Sequence, residues 1–302
     1  MTVLVNLIVT VGMLYVVPAG LRLIDPVGLR WTARLWPLPA ALGAICLWLP
    51  RGIPATVLAA LYAAAALALA ARAPARLLRG RRGAPGEGGR AAARTTTRTA
   101  ARALAPSEVA VFTALISPSI AAAALVAERA GYRLFGFDLD ILALTVPHFH
   151  FAGFTAALVA GLVCRATTTA PGGTTLSRWA AYSVPGGTLL VLLGYFVDDW
   201  AELAGAVVLT AGMWAVALLT WRDIRPGARD RTTGGLLATS AAVLVATMLL
   251  ALWWAAGEAT GITHPTLTWM AATHGLGNAL GFALCSVLAW RRLTVDRMEI
   301  TP

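Results

Sequence analysis

Lysine is missing from this chain and cysteine is scarce, and each gap narrows what the protein can be. All 24 basic residues are arginine, which with the heavy use of alanine and glycine reads as the mark of a GC-rich genome and not as a chemical adaptation. The three cysteines, Cys46, Cys164 and Cys285, are odd in number, sit in or at the end of apolar runs and form no CxxC pair. Neither a disulfide framework nor a thiolate metal site is therefore indicated. Charged residues make up only 13% of 302 positions, too few for a soluble domain of any size. The net charge of +10 could point to nucleic acid, but in so apolar a chain a basic excess is a topology signal, and no nucleic-acid partner is expected. A positive n-region is also missing at the N-terminus, whose apolar run continues to about Gly20, so it reads as a retained first span and not a cleaved signal.

What the chain has in abundance is hydrocarbon. Hydrophobic residues are 58% of the total, in repeated runs of about twenty, the helical length that crosses a bilayer core. The expected fold is an all-α, polytopic transmembrane bundle of about nine spans, over residues 2–21, 35–50, 53–71, 107–127, 138–163, 177–197, 201–221, 236–257 and 266–290. Arginine tests this count independently. With the N-terminus outside and the C-terminus cytoplasmic, 21 arginines fall inside and only Arg51, Arg129 and Arg133 outside, as a multi-pass plasma-membrane protein requires.

Two stretches need separate argument. Between 177 and 221 no Gly/Pro turn interrupts GYFVDDWAELAG, yet inside-type arginines at both ends demand an even number of crossings, so the reversal is expected at Asp198–Glu202. Segment 72–105, rich in Arg, Gly, Ala and Thr, reads as a flexible cytoplasmic linker. Its arginines either contact anionic membrane lipid or serve only to fix topology. The expected organisation is thus three spans over 1–71, the linker, a six-span core over 106–292 and a cytoplasmic tail over 293–302.

Ionisable side chains inside a span are costly, and that makes PHFHFAGF (147–154) and ATHGLGNALGF (272–282) the stretches to explain. His148, His150 and His274 come to a similar depth below the outer surface, and seven acids, Glu128, Asp138, Asp140, Asp198, Asp199, Glu202 and Glu258, belong to that same side. A polar pocket opening outward would serve all of them. Residues two apart on an α-helix differ by about 200°, so His148 and His150 can share one pocket only if Pro147 opens the turn. Otherwise one ring lines the pocket and the other bonds a neighbouring helix. Asn278, four residues after His274 on the same face, can hold that ring's tautomer. Asp198, Asp199 and Glu202 crowd three carboxyls into one turn, where one can stay protonated as a general acid, or else form a solvated lip. Tyr195, Glu202, Glu258 and Ser117 complete the candidate substrate-binding set. Ser117 and Ser119 flank Pro118, where a break in the fourth span would add hydroxyls to the pocket; bonding back to their own helix is the plainer expectation. Asn6 reads as an interhelical hydrogen bond.

HFHFAGF followed by THGLGNALGF resembles the YndJ-like family of bacterial integral membrane proteins, whose members carry H-F-H-[FY]-[AT]-x-F and a later T-H-G-x-x-N-x-x-G-F. The likeness covers roughly 107–290 and falls on His148, His150, His274 and Asn278. It implies a site, not a reaction. On residue chemistry the first expectation is an enzyme without a cofactor, using His148, His150 and His274 with Asp198 or Asp199 for acid–base work on a lipophilic small molecule. Isomerisation, cyclisation or epoxide opening of a terpenoid or polyketide-like compound would suit it. The alternatives are a zinc hydrolase with the three imidazoles as ligands, and a proton-coupled transporter or a haem or quinone carrier.

Overall fold

The computed structural model describes residues 2–76, 105–167 and 174–298. Within these, nine helical rods follow in sequence: α1 (Val3–Ile24), α2 (30–46), α3 (Ile53–Arg76), α4 (Pro106–Arg129), α5 (Leu139–Thr167), α6 (Thr174–Gly194), α7 (Asp199–Gly227), α8 (Arg231–Thr260) and α9 (Leu267–Val295). Seven of these are individually long and apolar enough to cross a membrane. The chain is a polytopic helical bundle, as its hydropathy predicts. The linker expected over 72–105 falls outside the described residues beyond Arg76, and α3 runs on to that residue. The tail expected from 293 begins as helix through Met298.

The rod ends follow from local chemistry. Pro37, Pro54 and Pro106 occupy first turns, where a missing N–H costs nothing. Asp198 and Asp230 cap α7 and α8, accepting the N–H groups of Ala201 (2.8 Å) and Thr233 (2.9 Å). Gly261, at φ +75°, closes α8 in the left-handed conformation that a side chain would resist. Pro118 does not break its helix: α4 is continuous past it, and Ser117 and Ser119 bond back to Thr113 and Ile116 carbonyls.

The α6–α7 hairpin reverses at residues 195–198, slightly before the expected Asp198–Glu202, so Glu202 sits in the first turn of α7. Backbone contact holds the two helices together. A Cβ on Gly187 would lie 2.5 Å from the Leu209 nitrogen, and one on Gly205 would lie 2.5 Å from the Val191 nitrogen. Small residues bring the rods this close where lipid offers no hydrophobic drive between them.

Both histidine-bearing rods contain π-helical turns, over Phe149–Thr155 in α5 and over Ala271–Gly275 and Gly277–Leu284 in α9; α1 has another at Gly12–Val16. Such turns leave carbonyls off the regular ladder, and inside a membrane the protein must satisfy them. Trp36 Nε1 donates to Met13 O (3.0 Å), Thr155 Oγ1 to His150 O (3.0 Å), and His150 Nδ1 to Val146 O (2.7 Å). The wide turn of α1 faces that of α5, with Gly12 against His150 and Gly20 against Phe154. One continuous apolar core joins α1–α3 to the later helices, so the first three rods are built into the same body as the other six.

Candidate functional site: a chamber walled by α4–α9

A cavity of about 490 Å³ lies among the six C-terminal rods, each of which contributes to its wall, while α1–α3 contribute nothing to it. That volume is within the ordinary range for a small-molecule site. Most of the wall is apolar. The polar groups are few: His148, His274, Asn278, Glu202, Tyr195 and three hydroxyls, on Ser119, Thr145 and Thr188. Its mouth is at the end that the arginine distribution assigns to the outside. There Phe137 and Phe196 meet edge to face at 5.3 Å, with Phe135 and Tyr195 completing an aromatic collar. Phe135 holds a left-handed φ of +56° to reach it.

The three intramembrane histidines are in three different situations. His148, half-buried, lines the cavity, and no hydrogen bond from a described residue reaches its ring. His274 lines the same cavity with both nitrogens engaged. Its partner Thr247 O (2.8 Å) is a carbonyl and can only accept, so Nδ1 carries the proton. Nε2 then accepts from the Asn278 amide (3.0 Å), whose oxygen accepts from the Thr247 hydroxyl (2.9 Å). The Thr247 carbonyl thus sets the tautomer, and Asn278, four residues after His274, supplies the matching donor.

His150 is elsewhere. It is fully buried and faces α3, where Tyr62 donates its hydroxyl to Nε2 (2.7 Å) while Nδ1 donates to Val146 O. Pro147 and the wide turn do not bring the HxH pair to one side. The rings diverge, as two residues of a helix ordinarily do. His150 is thus a packing and hydrogen-bonding residue between helices and is withdrawn from the catalytic set.

The zinc alternative loses its donor set for the same reason. His150 is turned away, and His274 has no free lone pair while Asn278 holds Nε2. Among the described residues no group of three or more His, Cys, Asp or Glu converges as a metal site would require.

The acids also separate. Glu202 is on the cavity wall, within hydrogen-bonding reach of Tyr195. Asp198 is an exposed cap and Asp199 is exposed beside it, so neither reaches the cavity as the expected acid. Glu258 faces His264 Nε2 (3.2 Å) at the rim. Glu128 is buried and does not line the cavity, lying between Arg51 (2.9 Å) and Arg129 (2.6 Å). Arg129 also donates to the carbonyls of Cys46 and Leu49, pinning the α2–α3 loop. Asp138 pairs with Arg133, and Asp140 is exposed. One pocket does not serve all seven acids: Glu128 and Asp138 have nearer arginines, Glu258 faces His264, and Asp140, Asp198 and Asp199 are exposed. Ser117 is buried off the cavity; Ser119 is on its wall.

Sequence reasoning passed over Tyr62 and Thr247. Tyr62 had a signal, since it is a lone hydroxyl in the Ala/Leu stretch of α3 and a buried tyrosine hydroxyl needs a partner. Thr247 had none, because a threonine in a span ordinarily bonds its own helix.

Fold and site together define a multi-pass membrane protein with a mostly apolar chamber and an imidazole pointing into it. The chain belongs to the YndJ-like protein family, whose match covers residues 7–282. That match starts in α1, well before the region carrying the two motifs, in agreement with the single core. Over 165 residues the chain is 26% identical to the Bacillus subtilis (strain 168) protein named uncharacterized membrane protein YndJ; the alignment covers 55% of this chain and 29% of that relative. No solved structure matches.

Proposed function

We propose that this protein is a membrane-embedded enzyme that moves protons on a lipophilic molecule bound in the α4–α9 chamber. Isomerisation, cyclisation or epoxide opening of a terpenoid or polyketide-like compound is the kind of reaction it would perform. The observation that carries this reading is His148, an imidazole left without a hydrogen bond from any described residue on the wall of a 490 Å³ cavity. Its ring faces the cavity, where a bound molecule can supply the partner that folding did not. A neutral imidazole takes a proton and an imidazolium returns one, which is the exchange that acid–base chemistry needs.

The Glu202–Tyr195 pair holds the second exchangeable proton, nearer the mouth. In an isomerisation, His148 removes a proton from one carbon while that pair delivers one to another, and the molecule leaves with its proton count unchanged. His274, locked by Thr247 and Asn278, is a fixed polar wall that orients the occupant.

The test follows the isomerisation, in which the delivered proton ends on carbon. Protein in nanodiscs is incubated in D2O with a neutral-lipid extract, and lipids are read by mass spectrometry for carbon-bound deuterium. Wild type is expected to label at least one lipid and His148→Gln to label none. No labelling by wild type, or equal labelling by both proteins, would overturn the proposal.

A further inference from the structure

We infer that the chamber takes a lipophile whose polar end carries no negative charge, such as an alcohol or carbonyl compound, and discriminates against phosphate- or carboxylate-headed lipids. The inference rests on the proposed use of the chamber and adds the class of molecule that enters it.

Three observations converge. No arginine lines the cavity among the described residues, and its one acidic side chain is Glu202. The three arginines of the outer end are all engaged elsewhere: Arg51 and Arg129 hold Glu128, and Arg133 holds Asp138. Around the mouth Asp199 and Glu258 both act electrostatically on Glu202, while the basic groups there, Arg133 and His264, face Asp138 and Glu258. An anionic head in this low-dielectric space would lose its hydration, find no cation and meet a carboxylate. A neutral hydroxyl or carbonyl loses far less, and it finds the His148 imidazole, without a hydrogen bond among the described residues, and the hydroxyls of Thr145 and Thr188. The aromatic collar and the apolar wall then cover its hydrocarbon part.

The occupant can be probed with matched chains. Trp254 lies on the cavity wall, and bromine quenches tryptophan at short range. Purified protein in nanodiscs is titrated at pH 8 with 11-bromoundecanol and with 11-bromoundecyl phosphate. The Trp254 signal is isolated by subtracting a Trp254→Phe variant. The alcohol is expected to quench saturably, and the phosphate to bind roughly tenfold or more weakly, the scale of a like-charge encounter beside low-dielectric walls. Glu202→Gln is expected to narrow that ratio. Phosphate binding as tight as alcohol binding, or a ratio unmoved by Glu202→Gln in a folded variant, would overturn the inference. The readout is separate from catalysis. Alcohol binding without deuterium transfer would sink the enzymatic reading alone, and tight phosphate binding with deuterium transfer would sink the ligand class alone.

Discussion

Tyr62→Phe removes one oxygen from the middle of the bundle and leaves everything else about the ring in place, including its edge contact with Trp36 at 5.9 Å. Among the described residues that oxygen is the sole donor to His150 Nε2, at 2.7 Å, and both residues are fully buried. Without it, a lone pair is stranded where water does not reach, a loss of about 1–3 kcal/mol in proteins generally. Interhelical hydrogen bonds in membranes lie lower, averaging roughly 0.6 and reaching about 1.7 kcal/mol. The short distance and complete burial place this one near the top of the membrane range, about 1.5 kcal/mol, or roughly tenfold in the folding equilibrium. His150→Leu should cost as much or more, because it strands the Tyr62 hydroxyl and loses the bond to Val146 O. The double variant should be less destabilised than the sum of the two. His148→Gln, by contrast, alters a ring with no bonded partner among the described residues and should stay within about 0.5 kcal/mol of wild type. The assay is reversible unfolding in a titration of denaturing detergent, followed by tryptophan fluorescence. If Tyr62→Phe is neutral, or if the stability loss falls on His148 and spares His150, the assignment of the two rings is wrong.

Three further outcomes follow from the packing. Gly205→Ala would place a Cβ 2.5 Å from the Val191 nitrogen and force α6 and α7 apart, at about 1–3 kcal/mol. Gly235→Ala in α8, where the same Cβ meets nothing within 4 Å, should instead stabilise by roughly 0.5–1 kcal/mol, and thermal melts of the two variants compare them directly. Glu128→Gln takes the charge from a carboxyl 2% exposed and leaves Arg129 without its counter-ion; the loss should fall near the lower end of about 3–5 kcal/mol, since Arg129 keeps two carbonyls and Arg51 reaches solvent. Hydrogen bonds from the Thr233 hydroxyl and N–H hold the Asp230 carboxyl down to about 2, with Arg292 also lowering it. A native value below the unfolded one, about 3.9, gives stability that is present above pH ~4 and lost as pH falls toward 2. Asp230→Asn keeps the cap without the titration, so its stability should vary less across that range in acid-unfolding curves.

Much of the architecture is legible in the chain alone. Apolar run lengths and the lopsided arginines placed nine rods with boundaries a few residues off, and the 177–221 hairpin was forced by charge parity alone. Asn6 finds its partner across the bundle, at Leu47 O (2.9 Å). Boundaries slipped where an end is set by a cap and not by hydropathy, as at Asp198, whose side chain starts α7 and shifts the reversal upstream.

The site was legible in part. Composition alone marks His148, His274, Asn278, Glu202 and Tyr195, because polar groups inside a membrane are too costly to be scattered without partners. Which partner each one takes is not encoded locally. His150 and His148 are chemically identical and two residues apart; what separates them is the rotation of α5 against α3, which brings Tyr62 to one ring and an open chamber to the other. Likewise Glu128 and Glu202 look alike as acids of the outer side, until packing delivers two arginines to the first and a cavity to the second. The sequence determined that these groups belong to apolar helices long enough to cross a membrane or to the ends of such helices, since hydrophobic length and charge asymmetry are sums along the chain. Only the tertiary structure decided which of them are satisfied and which stand free, since hydrogen bonds form between helices far apart in sequence.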